Sequence, residues 1–192
     1  VLVLTLLTAA QAADLRLHVA VSGGQQRLPT MPVGASPGPV VRFELGAGPA
    51  MAQGYFLAQL AIHDTRPYYD SVAYGLPATF VGDFLMTELG VGARFPIPVG
   101  QVRFIPHADL GLVMTDTPMD PGFYRSDVVP EFYTEPNPGL HGRGAFAQAG
   151  GDVGLVLYED VVTGYAGFDV GYSTIRGLGV LLNVRFGLAA AF

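Results

Sequence analysis

The sequence contains no cysteine, no tryptophan and no lysine, so all ten of its cationic side chains are arginines. Without cysteine there is no disulfide framework, no thiolate metal centre and no lipid-modified cysteine anchor. Charge of either sign is scarce. Only 14% of the 192 residues are charged, against about 25% in an average soluble domain. The formal net charge of −6 gives nucleic-acid binding no electrostatic footing. Past the N-terminus no apolar run approaches the roughly 20 residues of a membrane helix. Half of the residues are nonetheless hydrophobic, so the chain has to segregate them by alternation.

The N-terminal run Val1–Ala10 (VLVLTLLTAA) leads into Ala10-Gln11-Ala12, the pattern of a secretory signal's apolar core and cleavage site. Residues 1–12 are therefore expected to be a signal remnant, and residues 13–192 a single domain.

The last thirteen residues, Val180 to Phe192, alternate without a slip. Val180, Leu182, Val184, Phe186, Leu188, Ala190 and Phe192 share one parity; Asn183 and Arg185 fall on the other. A strand has a side-chain period of two, so one face is wholly apolar and the other carries the polar groups. Seven further segments repeat this pattern. Leu15–Ser22 sets Leu17, Val19 and Val21 against Arg16 and His18. Val40–Ala47 sets Val41, Phe43 and Leu45 against Arg42 and Glu44. Tyr55–His63 opposes Phe56, Leu60 and Ile62 to Gln59 and His63. Phe84–Phe95 opposes Leu85, Leu89 and Val91 to Glu88 and Arg94. Val102–Met114 puts Phe104, Leu110 and Leu112 opposite Arg103, His107 and Asp109; Pro106 within it removes a ladder donor, which predicts a bulge. Ala145–Tyr158 opposes Val153, Leu155 and Leu157 to Gln148 and Asp152. Tyr165–Tyr172 opposes Phe168 and Val170 to Asp169.

The connections alternate in length as well. Gly48–Gly54, Pro96–Gln101 and Glu159–Gly164 are short; Gly23–Pro39, Thr65–Asp83, Thr115–Gly144 and Ser173–Gly179 are longer. This is the turn asymmetry of barrels that cross an outer membrane, with short turns and both termini on the periplasmic side. Alternation alone does not say which face looks outward, because a soluble barrel shows the same pattern inverted. Three features decide it. The apolar parity is too bulky for an eight-strand interior, which side chains barely fit. The polar parity is rich in glycine (Gly46, Gly90, Gly92, Gly111, Gly150, Gly154, Gly167, Gly171, Gly187), which suits a cramped interior. Lysine, which soluble β-proteins use to guard surfaces and edges, is missing. The expectation is an all-β, eight-stranded, antiparallel up-and-down transmembrane barrel, monomeric and lipid-facing on its apolar parity.

In this the chain resembles the small eight-stranded bacterial outer-membrane barrels, the family that includes the OmpA transmembrane domain, OmpX and OmpW. The resemblance spans residues 13–192 and is one of architecture. It implies a C-terminal assembly signal read by the outer-membrane insertion machinery. Phe192 matches the terminal aromatic and Gly187 the glycine five residues before it, whereas Ala190 is smaller than usual and Phe186 replaces a usual polar residue. It also implies residence among outer-membrane lipids and lipopolysaccharide.

On the inward parity, Arg16, Arg42, Arg94, Arg103 and Arg185 face Glu44, Glu88, Asp109, Asp152 and Asp169. Buried charges have to be paired, and an even tally predicts a plugged, salt-bridged lumen rather than an open pore biased to one sign. Catalytic and metal readings fare poorly. The pair His107-x-Asp109, with Glu88 or His63 nearby, has base-and-carboxylate chemistry. Barrel lipid A deacylases carry a His-x-Ser pair instead, and Asp109 stands where that serine would be. His18, His63 and His107 are of metal-ligating type without a motif spacing. The acidic third loop (Asp116, Asp120, Asp127, Glu131, Glu135) lacks the spacing of a calcium loop. No enzyme, cofactor or metal is called for. The second loop carries Tyr68, Tyr69, Tyr74 and Phe80, with Leu76, Val81 and Phe84 beside them. They read as an interfacial aromatic girdle, or as a contact surface for an extracellular or envelope protein partner. The favoured role is a structural or surface-interaction protein working through its loops. The alternative is a narrow OmpW-like conduit for small or apolar solutes; a lipid-modifying envelope enzyme ranks last.

Overall fold

The computed structural model describes residues 15–30, 37–65, 82–116, 142–159, 161–175 and 178–192. The expected signal segment, the aromatic and apolar loop residues Tyr68, Tyr69, Tyr74, Leu76, Phe80 and Val81, and the loop acids Asp120, Asp127, Glu131 and Glu135 lie outside them. Among the described residues there is no helix. The strands are β1 (Leu15–Arg27), β2 (Gly38–Pro49), β3 (Gln53–Thr65), β4 (Gly82–Arg94), β5 (Ile97–Val99), β6 (Val102–Asp116), β7 (Gly142–Tyr158), β8 (Val162–Ser173) and β9 (Gly179–Ala191).

Apart from the three-residue β5, which folds back on β6, eight long strands run antiparallel in the order β4-β3-β2-β1-β9-β8-β7-β6. The β4–β6 pairing closes the sheet on itself. Closure removes every edge, so the strand backbone satisfies its own hydrogen bonds, as a lipid environment demands. The wall strands are 12 to 17 residues long, above the roughly 9–11 that a tilted strand needs to cross a bilayer.

The alternating parities separate cleanly. β2 reads buried-exposed-buried along its first eight residues. Phe56 is 71% exposed and Phe186 63%, while Arg42 and Arg185 are each 1% exposed. The barrel is therefore apolar on its outer wall and polar within, the inverse of a soluble fold.

Three local expectations differ from the structure. First, β1 does not stop at Ser22: the ladder continues through Gly23 and Gly24 to Arg27. Those glycines are ladder positions rather than a turn, because a Cβ on Gly24 would run into the backbone of Val184 on β9. Second, Pro106 makes no bulge. It pairs in register with Gly151, and its carbonyl accepts from the Phe95 amide. The missing donor faces the break between β4 and β5, where no regular ladder is interrupted. The register shift lies between Val156 and Tyr158 on β7 instead. Third, Phe84 does not join an outer aromatic girdle; it points inward, fully buried.

The outer wall yields a direct test. Leu110, at mid-strand on β6, is 61% exposed, and Leu110→Arg is predicted to destabilise the folded barrel in phospholipid vesicles by about 2–4 kcal/mol. Reversible urea unfolding measures this. An unchanged midpoint would show that this wall is not in hydrocarbon.

Candidate functional site

The lumen is built from the inward residues of all eight wall strands, and three layers can be distinguished along its axis.

In the middle lies an ionic network. Arg42 on β2 binds Glu44 through Nε at 2.7 Å and Asp109 on β6 through Nη2 at 2.8 Å. The Tyr55 hydroxyl donates to Asp109, as does the Gln148 amide at 3.0 Å, and Asn183 donates to Gln148 at 3.2 Å. Gly92 makes this possible, since a Cβ there would overlap both the Tyr55 ring and the Asp109 carboxylate. Arg94 pairs with Glu44. The guanidinium carbons of Arg42 and Arg94 lie 5.8 and 4.7 Å from the centre of the Tyr55 ring, a cation–π arrangement strengthened by desolvation.

A second knot joins the first. Arg185 on β9 grips Asp169 in bidentate fashion at 2.8 and 3.0 Å, reaches Asp152 at 3.3 Å and approaches Glu44 at 3.7 Å. His107 contacts the same Asp169 through Nε2 at 2.5 Å, while its Nδ1 lies 3.2 Å from the Ile105 carbonyl. The expected pair of His107 and Asp109 therefore does not form: the two side chains serve different partners, and Glu88 and His63 lie further along the axis. The three histidines likewise diverge, His18 to Glu44, His63 to Gln26 and His107 to Asp169. No cluster suited to a metal ion occurs among the described residues.

Toward the long-loop end the interior changes character. Leu28, Val40, Phe84, Met86, Val113, Phe146 and Leu181 form a buried apolar cluster. Embedded beside it, Glu88 accepts from two glutamines, Gln59 at 2.8 Å and Gln26 at 3.2 Å. His63, stacked on Phe84 with ring centroids 5.1 Å apart, donates to Gln26 at 2.9 Å. This carboxyl group stands apart from the arginines, so the interior is only partly ionic. Sequence reasoning misses Gln26 and Tyr55 as lumen residues; their shared parity with His18 and Gln59 is the available signal.

The remaining layer is at the short-turn end, where Arg16 and Arg103 are half-buried and line an open recess with His18 and Arg94. The even match of five cations to five anions therefore does not describe the packed middle. There, three arginines meet Glu44, Asp109, Asp152 and Asp169, with Tyr55 and side-chain amides supplying the other donors. Of the terminal-strand residues, Gly187 faces Ser22 and the Tyr165 ring, which a Cβ would strike. Phe192 is exposed, and its backbone exchanges hydrogen bonds with Leu17 at 2.9 and 3.0 Å.

The network predicts a non-additive mutational response. Asp169→Ala leaves Arg185 and His107 buried without their shared acceptor and should cost about 3–5 kcal/mol. Asp169→Leu combined with Arg185→Met removes both charges and should recover most of that loss. Urea unfolding of the single and double variants in vesicles measures both. A double-variant cost equal to the sum of the Asp169→Leu and Arg185→Met single costs would show that the pair is not coupled.

No protein-family model matches the sequence, and no curated protein matches it. Solved structures do share the fold. The neisserial surface protein NspA superposes with a TM-score of 0.59 at 12% identity, covering 93% of this chain and 97% of its own. A major outer membrane protein from Thermus thermophilus gives 0.54 at 13% identity, covering 93% and 100%. The fold is that of the small eight-stranded outer-membrane β-barrels.

Proposed function

We propose that the protein is an integral outer-membrane barrel with a closed lumen, acting as a structural or surface-interaction protein through its long loops. The observation that carries this reading is the filled interior. Arg42, Glu44, Glu88, Arg94, Asp109, Asp152, Asp169 and Arg185 are all 3% exposed or less, so no water-sized passage runs beside them. An aqueous conduit needs such a passage. The apolar cluster around Phe84 and Phe146 adds a second barrier at the long-loop end.

The short-turn end then faces the periplasm and the long loops face outward, in keeping with the turn asymmetry of such barrels. Lipopolysaccharide and outer-membrane lipids contact the wall, and an extracellular or envelope protein is the partner of the loops. Residues Tyr68, Tyr69, Tyr74 and Phe80 are the proposed contact surface. Gly187 and Phe192 serve the insertion machinery. Two of the barrels that share this fold are named as a surface protein and a major outer membrane protein, which is compatible with this assignment.

Planar-bilayer recording tests it. The purified barrel is expected to give no steady conductance, and so is the Arg42→Ala, Asp109→Ala variant, because the apolar cluster around Phe84 and Phe146 still closes the long-loop end. A large steady conductance from the unaltered protein would overturn the closed-lumen reading in favour of the conduit.

A further inference from the structure

The outer wall is not evenly ridged. Where β6, β7 and β8 run side by side it carries a trough of about 510 Å³, bordered by Phe104, Pro106, Gly151, Val153, Ala166 and Phe168. Gly151 on the middle strand lies across from Pro106 on one side and Phe168 on the other. Pro106, Gly151 and Ala166 contribute little bulk, while Phe104 and Phe168 stand on the two flanks, 47% and 57% exposed. A Cβ on Gly151 would meet nothing within 4 Å, so no neighbouring side chain leans over to fill the gap. β6 and β8 are two interstrand spacings apart, about 9.5 Å, which leaves the width of one hydrocarbon chain between the flanking rings. Asp152 also borders the trough, but its carboxylate stays in the lumen, 3.3 Å from Arg185.

The trough is continuous with the lipid-facing wall, and its depth says which lipids reach it. Pro106 lies four residues beyond Val102, where β6 leaves its short turn. Allowing for strand tilt, that is about 10 Å along the barrel axis, inside the roughly 15 Å that one leaflet contributes to the hydrocarbon core. A flat wall touches a lipid chain along one side, whereas this concavity touches it on three. Dispersion contacts accumulate with each atom pair brought to van der Waals distance, and an unfilled gap forfeits them.

We propose that the trough seats one acyl chain of a phospholipid from the leaflet on the short-turn side. The seat presupposes the outer-membrane placement proposed above and adds to it a fixed position for a single lipid. Gly151 is the position that keeps the seat open.

The chain has no tryptophan, so one introduced indole reports its own surroundings. The full-length barrel carrying Phe168→Trp is folded into phosphatidylcholine vesicles containing increasing fractions of mid-chain dibrominated phosphatidylcholine, and quenching is measured. Phe43→Trp on β2 is the reference, because Phe43 lies six residues from its short turn, as Phe168 does. Stronger quenching is expected at position 168 than at position 43, and Phe104→Trp on the other flank should share the excess. Gly151→Leu fills the trough and should abolish that excess. Ala58→Leu in the Phe43→Trp protein places a leucine in the same cross-strand relation to the reporter and should change its quenching less. Heat-modifiable gel migration verifies that every variant is folded. Equal quenching at positions 168 and 43, or equal losses from the two leucines, would overturn the seat while leaving the wall in lipid. Weaker quenching at position 168 that rises as the protein is diluted in lipid would place a second copy of the chain there instead, and would also overturn it. No quenching at any reporter would overturn the membrane placement itself.

Discussion

An eight-strand cylinder encloses a space scarcely wider than the side chains that point into it, and the interior of this protein is arranged under that constraint. Each inward position has to be small, or to find a partner across the axis. Glycine provides the first solution: Gly92 leaves room for the Tyr55 ring beside Asp109, and Gly187 leaves room for Tyr165. The arginines provide the second. Each inward guanidinium in the middle serves more than one acceptor or ring, which a wider barrel with a water-filled bore would not require.

The outer wall answers to a different solvent. There the same strands present chiefly Leu, Val and Phe, and the exposure of these side chains is stabilising only in hydrocarbon. The two faces are coupled through the backbone, because shifting a strand by one residue would drive arginines into lipid and leucines into the ionic knots. Strand register is consequently over-determined in this fold. That is how a chain with so little charge still specifies a single arrangement.

This coupling also explains what is legible in the sequence and what is not. Parity alone places Arg42, Glu88, His107 and Arg185 inside, and Phe56 and Leu112 outside, because facing is a local property of the pleat. Partner choice is not local. His107 meets Asp169, 62 residues away, rather than Asp109 two residues on, since strand stagger decides which inward side chains share a height. The same stagger lifts Glu88 out of reach of the arginines and into the grip of Gln26 and Gln59. Phe84 reads as a membrane-rim residue because it follows a run of loop aromatics; its parity with Glu88, four residues on, is the signal that places it inside. The doublet Gly23-Gly24 imitates a turn, and only the close approach of β9 reveals why glycine is needed there.

The ion pairs and hydrogen bonds that bridge non-neighbouring strands carry a mechanical meaning. Arg42 ties β2 to β6, Gln26 ties β1 to β4, and Arg185 ties β9 to β7 through Asp152 and approaches β2. These partners lie close only while the sheet is curled, so flattening any seam would pull several of them apart at once. Such crosswise lacing acts like the spokes of a wheel. It makes lateral parting between adjacent strands costly everywhere around the ring, so the cylinder yields as a whole rather than unzipping from one side.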